Sequence, residues 1–273
     1  MNLYTGCGHG CLYCYARFYV SRFDEPRLKE KIAQMLAEDL ARLRSEALVE
    51  LATSTDPYQP LEFRLSASRR CLELLSSSRA RVLITTKSDL VLRDLDLLGK
   101  MRGRVAVAIT VTTLDRRVAS ILEPGAPPPE RRIRAIELLS REGIPSVVRI
   151  DPVIPGVNDD LDEIEALVDR AARAGALQIT SSTLKAKSSL LEKLSRSFPG
   201  ARAELAELYV EKGVRVRGYL YADSGWRLRV LREIKSLSEE RGLVFKVCRE
   251  GLPGLASTGS TCDGFGLIDL IPR

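Results

Sequence analysis

Residues 4 to 17 read Tyr4-Thr5-Gly6-Cys7-Gly8-His9-Gly10-Cys11-Leu12-Tyr13-Cys14-Tyr15-Ala16-Arg17. Three cysteines lie within eight residues of this stretch, separated by three and then by two residues. Cysteine thiolates are the ligands of iron–sulfur clusters, so three of them on one loop predict a site for three irons of a [4Fe–4S] cluster. The fourth iron would keep an open coordination position, which a metal centre needs if a substrate is to bind there.

The spacing of Cys7, Cys11 and Cys14, with the aromatic Tyr13 just before the third cysteine, resembles the motif of the radical SAM superfamily. The residues around the cysteines are similar, more narrowly, to the branch related to spore photoproduct lyase. The resemblance implies a [4Fe–4S] cluster and S-adenosyl-L-methionine as cofactors. It also implies reductive cleavage of that cofactor to a 5′-deoxyadenosyl radical, which abstracts hydrogen from a substrate, and an electron donor such as ferredoxin or flavodoxin.

Other sites remain open from the residues alone. Three cysteines with His9 match the Cys3His ligand set of a structural zinc site, although zinc modules usually take their ligands from two separated segments. Away from a ligand role, His9 is expected to face solvent or to cap a backbone group. The alternative function is a non-catalytic iron–sulfur or zinc-stabilised binding protein. An electron carrier is a third hypothesis, which an open iron beside a cofactor pocket suits poorly.

The bulk composition indicates one large α/β protein that carries metal or redox chemistry in the cytoplasm. The chain has 273 residues, 45% of them hydrophobic, and a net charge of +6, which favours nucleic acid only weakly. No apolar run is long enough to cross a bilayer, and the first residues do not read as a secretory leader. Six cysteines without a leader indicate metal or redox chemistry in a reducing compartment rather than a disulfide scaffold.

Alternating strand and helix patterns predict a partial (β/α)6 TIM-like barrel of the α/β class, with a C-terminal helical and irregular extension. Its strands are predicted at residues 3–5, 49–54, 81–87, 104–111, 146–150 and 177–180. A long helix is predicted from Asp24 to Leu51, ending before Val49 if the second strand begins there, with Pro26 in its first turn. We expect the radical SAM core at residues 1–185 and the extension at 186–273, where Val244–Cys248 is a last candidate strand.

The resemblance also implies which residues contact the cofactor, at the carboxyl ends of successive strands. Lys87 would pair with the carboxylate of S-adenosylmethionine by a charge-assisted hydrogen bond. Tyr13 would lie against the adenine. The remaining contacts are Thr55 at the methionyl or ribose groups, Thr110 and Arg149 at the ribose hydroxyls and carboxylate, and Ile154 and Pro155 as backbone around the adenine.

Two features depart from the lyase branch. The lyase carries a hydrogen-donating cysteine where this chain has Thr53, so the resemblance covers the scaffold and cofactor rather than the DNA-repair reaction itself. Cys248 and Cys262 lie in a glycine-rich tail. They could help ligate an auxiliary cluster, with Cys71 or other groups completing it, or serve as a hydrogen-donor thiol, or be unrelated structural cysteines.

The substrate is not defined by these residues. Nucleic acid is the hypothesis that the lyase resemblance favours, and a peptide or a small metabolite remains open. The basic run of the sequence that could contact phosphates consists of Arg64, Arg69, Arg70, Arg79 and Arg81. Aromatic residues make up only 5% of the chain, which offers few platforms for base stacking.

Overall fold

The computed structural model describes residues 1–43, 46–51, 54–252, 254–257 and 261–270. The strands in these ranges are β1 (Tyr4–Thr5), β2 (Arg27–Leu28), β3 (Leu48–Leu51), β4 (Arg81–Thr86), β5 (Val105–Thr110), β6 (Ser146–Val153), β7 (Gln178–Thr183), β8 (Lys185–Ala186), β9 (Val214–Val216), β10 (Tyr219–Tyr221) and β11 (Val244–Val247). The α-helices are α1 (Ile32–Arg42), α2 (Glu62–Leu65), α3 (Ala67–Ser76), α4 (Leu95–Lys100), α5 (Arg116–Leu122), α6 (Pro129–Arg141), α7 (Leu161–Arg173), α8 (Ser188–Ser197), α9 (Arg202–Ala206), α10 (Ser224–Glu240) and α11 (Phe265–Leu270).

Six parallel strands form the central sheet, in the order β11-β7-β6-β5-β4-β3. Helices connect successive strands, as parallel pairing requires. The predicted partial barrel of the α/β class is therefore confirmed. All the strands point their carboxyl ends toward one edge, which is where α/β barrels carry their chemistry.

The strands are buried on both faces, and their side chains alternate between two environments. Val82, Ile84 and Val107 point outward and pack in the main core, which the surrounding helices cover. Ala106 and Ala108 point inward, where they pack with Leu83 and Val147 against Leu267 and Ile268 of α11. The last described helix thus fills the inside of the barrel, below the carboxyl edge.

The prediction that residues 3–5 form the first strand of the barrel is wrong. Tyr4–Thr5 pairs antiparallel with Arg27–Leu28 and takes no part in the central sheet. Gly6 ends this strand at once, because its φ is +79° and a Cβ there would strike the carbonyl of Phe23. The sixth strand is instead β11, the candidate strand of the predicted extension.

The long helix predicted from Asp24 to Leu51 is also shorter than expected. Pro26 precedes β2 rather than a helical turn, and α1 begins only at Ile32, after Lys31 in the left-handed region (φ +56°). The helix ends at Arg42, and β3 begins at Leu48. Leu43 and Leu48 are apolar residues at positions that continue the helical spacing. Both are exposed, however, so no contact with the core extends the helix across them.

A second, three-stranded sheet (β8-β10-β9) follows β7 on the carboxyl side of the central sheet. Helix α10 then leads the chain back to β11 at the end of the central sheet. The division of the chain after residue 185 stays a prediction. Within the described ranges, no helix combines the length and the hydrophobicity that a bilayer span requires.

Candidate cofactor site at the carboxyl edge

The loop that carries the three cysteines lies at the carboxyl edge of the sheet and is fixed at several points. Backbone bonds join Cys7 N to Phe23 O at 3.1 Å and Leu12 N to Leu122 O at 2.8 Å. Gly8 N donates to Gln59 Oε1 at 2.8 Å. The loop is therefore held by the turn before β2, by the end of α5 and by the segment after β3.

Gly125 makes the closest of these approaches. Its N–H donates to His9 O at 2.8 Å, and its carbonyl lies 2.9 Å from His9 Nδ1, which must act as the donor there. A Cβ at residue 125 would lie 2.9 Å from His9 Cα and closer still to the carbonyl of Gly8. Only glycine allows the two loops to touch in this way.

His9 also joins the cysteine loop to Asp56. Its Nε2 lies 3.1 Å from Asp56 Oδ2, and both side chains are buried. Thr86 Oγ1 and Lys87 N donate to the same carboxylate at 2.6 and 2.7 Å. Burial alone would raise the pKa of Asp56, but His9 and these two donors hold that pKa at about 2. His9 therefore caps a backbone group, as predicted, and anchors the loop to a buried anion.

Cys7, Cys11 and Cys14 carry free thiols, the first two buried and the third half-buried. Burial raises the pKa of all three, to about 12 for Cys7, so the thiols are neutral until a cation draws their protons off. In the part of the chain that the structure describes, no three His, Cys, Asp or Glu side chains converge as a single metal ion would require. The three sulfurs on one loop fit a multinuclear cluster better than a Cys3His zinc site.

Lys87 lies beside this loop, directly after β4. Its Nζ is 5.6 Å from the centre of the Tyr13 ring. Burial would lower the pKa of Lys87, but Cys11 in its thiolate form, Glu123 and Asp56 raise it, so the side chain carries a positive charge. No described residue accepts a hydrogen bond from Nζ at close range, which leaves its donors available for a ligand carboxylate.

A buried ion pair between Glu123 and Arg132 holds the hydroxyl of Tyr13. The Tyr13 hydroxyl donates to Glu123, which also pairs with Arg132, and all three side chains are buried. Arg132 further donates to Thr110 O at 3.1 Å and to Pro127 O at 2.7 Å. Burial would raise the pKa of Glu123, but Arg132, Lys87 and the Tyr13 hydroxyl hold it below its usual value. The ring of Tyr13 is thus fixed in place beneath Lys87.

The two threonines predicted at the cofactor are both buried at strand ends. Thr55 donates from Oγ1 to Tyr4 O at 3.3 Å, and its N–H donates to Asn2 Oδ1 at 3.2 Å. These bonds dock β1 onto the segment after β3. Thr110 ends β5, and its carbonyl accepts from Arg132, as described above. Their contacts with a cofactor stay predictions. Thr53, which stands where the lyase has its hydrogen-donating cysteine, lies outside the described residues.

Arg149 lies on the inner face of β6 and pairs with Asp151 at 2.6 Å. Its Nη1 also lies 3.4 Å from the carbonyl of Cys262. Burial would lower the pKa of Arg149, but Asp151 and Cys248 raise it, so the guanidinium stays charged. The structure thus places Arg149 between a carboxylate and the two cysteines of the tail.

Ile154 and Pro155 follow β6 and are both buried. The side chain of Ile154 belongs to the main core, so only its backbone can face the site. Asn158 holds this backbone, because its Oδ1 accepts from Ile154 N at 2.7 Å and its Nδ2 donates to Thr112 O at 2.8 Å. The segment after β6 is thereby tied to the end of β5.

A family comparison identifies the superfamily of this fold and loop. Residues 1–180 match the model of the radical SAM superfamily. The chain belongs to the radical SAM superfamily. Membership in this superfamily supports the interpretation of the chain as an enzyme. The family also implies a [4Fe–4S] cluster and S-adenosylmethionine as cofactors.

Several relatives of this radical SAM protein are known by sequence. The uncharacterised protein Rv2578c of Mycobacterium tuberculosis is 30% identical over 226 residues, which cover 77% of this chain and 66% of that protein. A protein named radical SAM Nalpha-GlyT isomerase, from Pseudomonas phage M6, is 22% identical over 93% of this chain and 54% of its own length. The chain thus spans just under two thirds of the mycobacterial relative.

Among solved structures, spore photoproduct lyase complexed with dinucleoside spore photoproduct is similar in fold. The two superpose with a TM-score of 0.70 at 17% identity, over 90% of this chain and 74% of the lyase chain. At this identity the likeness shows a shared fold. It agrees with the branch that the cysteine loop resembles.

Sequence patterns alone did not identify the polar residues that support this candidate site. Asp56, Glu123 and Arg132 are charged side chains far along the chain from the cysteine loop, and only the fold brings them to it. One signal for this support was present in the sequence, namely the proline-rich segment after residue 122, which includes Glu123. The basic run, by contrast, does not form one surface: Arg69 is bound by Asp94 and Asp96 in the structure, and Arg81 begins β4 at the opposite edge of the sheet.

Proposed function

We propose that this chain is an enzyme that uses S-adenosylmethionine and a [4Fe–4S] cluster held by Cys7, Cys11 and Cys14. When bound, the cluster supplies the electron that cleaves S-adenosylmethionine to the 5′-deoxyadenosyl radical, which abstracts hydrogen from the substrate. One observation carries the proposal: three free thiols on one loop lie beside the half-buried ammonium of Lys87 at the carboxyl edge of the sheet. A charged lysine in that position suits a ligand that presents a carboxylate.

The residues of this chain would bind and orient the cofactor and exclude water from it. Lys87 would take the carboxylate, and the fixed ring of Tyr13 would lie against the adenine. The backbone of Ile154 and Pro155, held by Asn158, would enclose the adenine. The remaining polar contacts, to the methionyl, ribose and carboxylate groups, are proposed for Thr55, Thr110 and Arg149.

Nucleic acid is the substrate class that we propose. It is supported by the fold shared with a lyase whose structure holds a dinucleoside photoproduct, and by the net charge of +6. We also propose a ferredoxin- or flavodoxin-type electron donor and a cytoplasmic location. Because Thr53 replaces the lyase cysteine, the proposed reaction is hydrogen abstraction and does not include the complete lyase cycle.

The test is the formation of 5′-deoxyadenosine under anaerobic conditions. The protein is reconstituted with iron and sulfide, given S-adenosylmethionine and a strong reductant, and the nucleoside is quantified with and without oligonucleotides. We expect product from the wild type and from Cys71→Ala, since Cys71 lies on the buried face of α3, and none from Cys14→Ala.

Product from Cys14→Ala at the wild-type level would contradict the proposed cluster ligands. A wild-type protein that holds the cluster and S-adenosylmethionine but gives no 5′-deoxyadenosine, with or without DNA and RNA oligonucleotides, would instead support the non-catalytic iron–sulfur binding protein.

A further inference from the structure

Cys248 and Cys262 form a pair of thiols that the proposed cofactor site does not use. Cys248 follows β11 directly, and its backbone N–H donates to Ser181 O at 3.0 Å. Cys262 lies on the segment before α11, where its carbonyl accepts from Thr180 Oγ1 at 3.0 Å. Strand β7 therefore fixes the backbone of both cysteines through the neighbouring residues Thr180 and Ser181, and the two thiols lie close enough for each to shift the pKa of the other.

Arg149 completes the surroundings of this pair. Its guanidinium lies beside the Cys248 side chain, its Nη1 is 3.4 Å from the Cys262 carbonyl, and its Nη2 donates to Asp151 at 2.6 Å. The neighbouring Cys262 thiol and the charge of Arg149 hold the pKa of Cys248 below its ordinary value, although burial opposes them. The neighbouring Cys248, together with burial, raises the pKa of Cys262. One thiolate beside one neutral thiol is the arrangement of an attacking and a resolving cysteine.

We propose that Cys248 and Cys262 are a redox-active dithiol that exchanges with a low-molecular-weight disulfide. The Cys248 thiolate attacks one sulfur of that disulfide, so a mixed disulfide forms and one external thiolate leaves. Cys262 then gives up its proton to the released thiolate and attacks the Cys248 sulfur, which expels the second external thiolate. The two cysteines lose two electrons, the external disulfide gains them, and an external dithiol reverses the exchange.

The surroundings favour this chemistry over an auxiliary cluster. A cluster usually takes four cysteine ligands, and in the described ranges this part of the molecule offers two. Cys71 does not join them, because it lies on the buried face of α3 near Glu62 and Arg70. Two thiols that neighbouring residues of one strand hold side by side are what disulfide formation requires.

Oxidation would have two consequences at the barrel mouth. A disulfide would tie the segment that leads into α11 to the end of β11. It would also remove the thiolate next to Arg149, so that Asp151 would be the anion left beside the guanidinium. The exchange is independent of the proposed function, since it needs neither S-adenosylmethionine nor a substrate.

The experiment uses the anaerobically reconstituted chain in buffers of reduced and oxidised glutathione. Samples are quenched in acid, alkylated and digested with trypsin, which cuts after Lys246 and Arg249. Cys248 then lies in the peptide Val247-Cys248-Arg249 and Cys262 in the peptide Glu250–Arg273, so the linked pair has a unique mass. We expect the linked peptide in the wild type. In Cys262→Ser we expect a glutathione adduct that stops on Cys248.

Two comparisons decide the outcome. Cys71, measured in the same digest, is a fully buried thiol whose pKa burial and Glu62 raise, and we expect Cys248 to react at least about tenfold faster than Cys71. In Cys248→Ser, Cys262 should stay unmodified. Equal rates for Cys248 and Cys71, or a glutathione adduct in Cys262→Ser without any linked peptide in the wild type, would overturn the proposal. So would a link from either cysteine to the cluster loop.

Discussion

Lys87 carries the charge that we assign to cofactor recognition. Replacing it by methionine keeps the length of the side chain and removes the three donors. Hydrogen bonds to charged groups contribute about 1.5–3 kcal/mol, so Lys87→Met should raise the KM for S-adenosylmethionine by about 10- to 150-fold. The measurement is 5′-deoxyadenosine formation against cofactor concentration. Lys100→Met, at the exposed end of α4, is the matched control and should leave KM unchanged.

A KM for Lys87→Met within about twofold of the wild-type value would show that the carboxylate binds elsewhere, since a lost charged hydrogen bond costs at least tenfold. Arg149, a half-buried cation at this edge, would then become the leading candidate. The roles of Arg149 and Lys87 in binding the carboxylate can be separated. Arg149 is already paired with Asp151, whereas the Lys87 ammonium donates to no residue that the structure describes.

Glu123 is the buried anion that joins the site to the core. In Glu123→Gln the amide keeps the shape but leaves the Arg132 guanidinium buried without its counter-charge. Breaking a buried pair in this way costs about 3–5 kcal/mol, and we expect that loss in the free energy of unfolding by urea. Glu142→Gln removes an exposed pair with Arg102, so it should cost about 0–1 kcal/mol under the same conditions. Equal losses in the two variants would contradict the structural role of Glu123.

At the scale of elements, the cysteine loop depends on the turn after α5. Gly125→Ala should push this turn away from Gly8 and His9, because the new Cβ would overlap both. We expect less iron per chain after reconstitution and a weaker visible absorption of the cluster, with the helices retained by circular dichroism. Gly99→Ala is the matched control: a Cβ there meets nothing within 4 Å, and alanine should stabilise α4 by about 0.5–1 kcal/mol. Full iron loading of Gly125→Ala would show that the loop closes without this contact.

The elements also show what could be predicted from the sequence. Strands β4, β5 and β6 are apolar runs bounded by helices with regular periodicity, so their pattern was sufficient. β1 is two residues long, and β11 lies far along the chain from its partner β7. Their pairing depends on where the chain turns in three dimensions, at Gly6 and after α10. Patterns within a short window do not contain that information.

The same limit applies to the candidate site. The spacing of Cys7, Cys11 and Cys14 lies within one loop, so the sequence was enough to indicate a cluster. Asp56 and Glu123, the charges that support the loop, lie about 50 and 110 residues further along the chain. The hydrogen bonds from Gly8 to Gln59 and from Tyr13 to Glu123 span separations of the same size. Only the closing of the sheet brings them together, and no local spacing predicts it.

For the whole molecule, the remaining question is which surface meets a nucleic acid. The basic run of the sequence does not gather at the carboxyl edge, but the hairpin of β9 and β10 extends from the sheet that follows β7 on that side. Arg215 and Arg217 are exposed on this hairpin. The Nζ of Lys187 lies 4.1 Å from the centre of the Tyr219 ring on the same hairpin. Cations next to an aromatic ring at the mouth of the site suit a phosphate backbone.

If that surface binds nucleic acid, the double variant Arg215→Ala/Arg217→Ala should weaken binding of a single-stranded oligonucleotide and lower its salt dependence. Each lost phosphate contact reduces the slope of log K against log salt by about 0.7 for single strands, so two contacts predict a decrease of roughly 1.4. Fluorescence anisotropy from low to physiological salt measures both quantities. Arg173→Ala, on the exposed last turn of α7 at the opposite edge, should leave the slope unchanged. An unchanged slope in the double variant would place the phosphate contacts elsewhere, whereas binding that does not weaken with salt in the wild type would argue against a nucleic-acid substrate altogether.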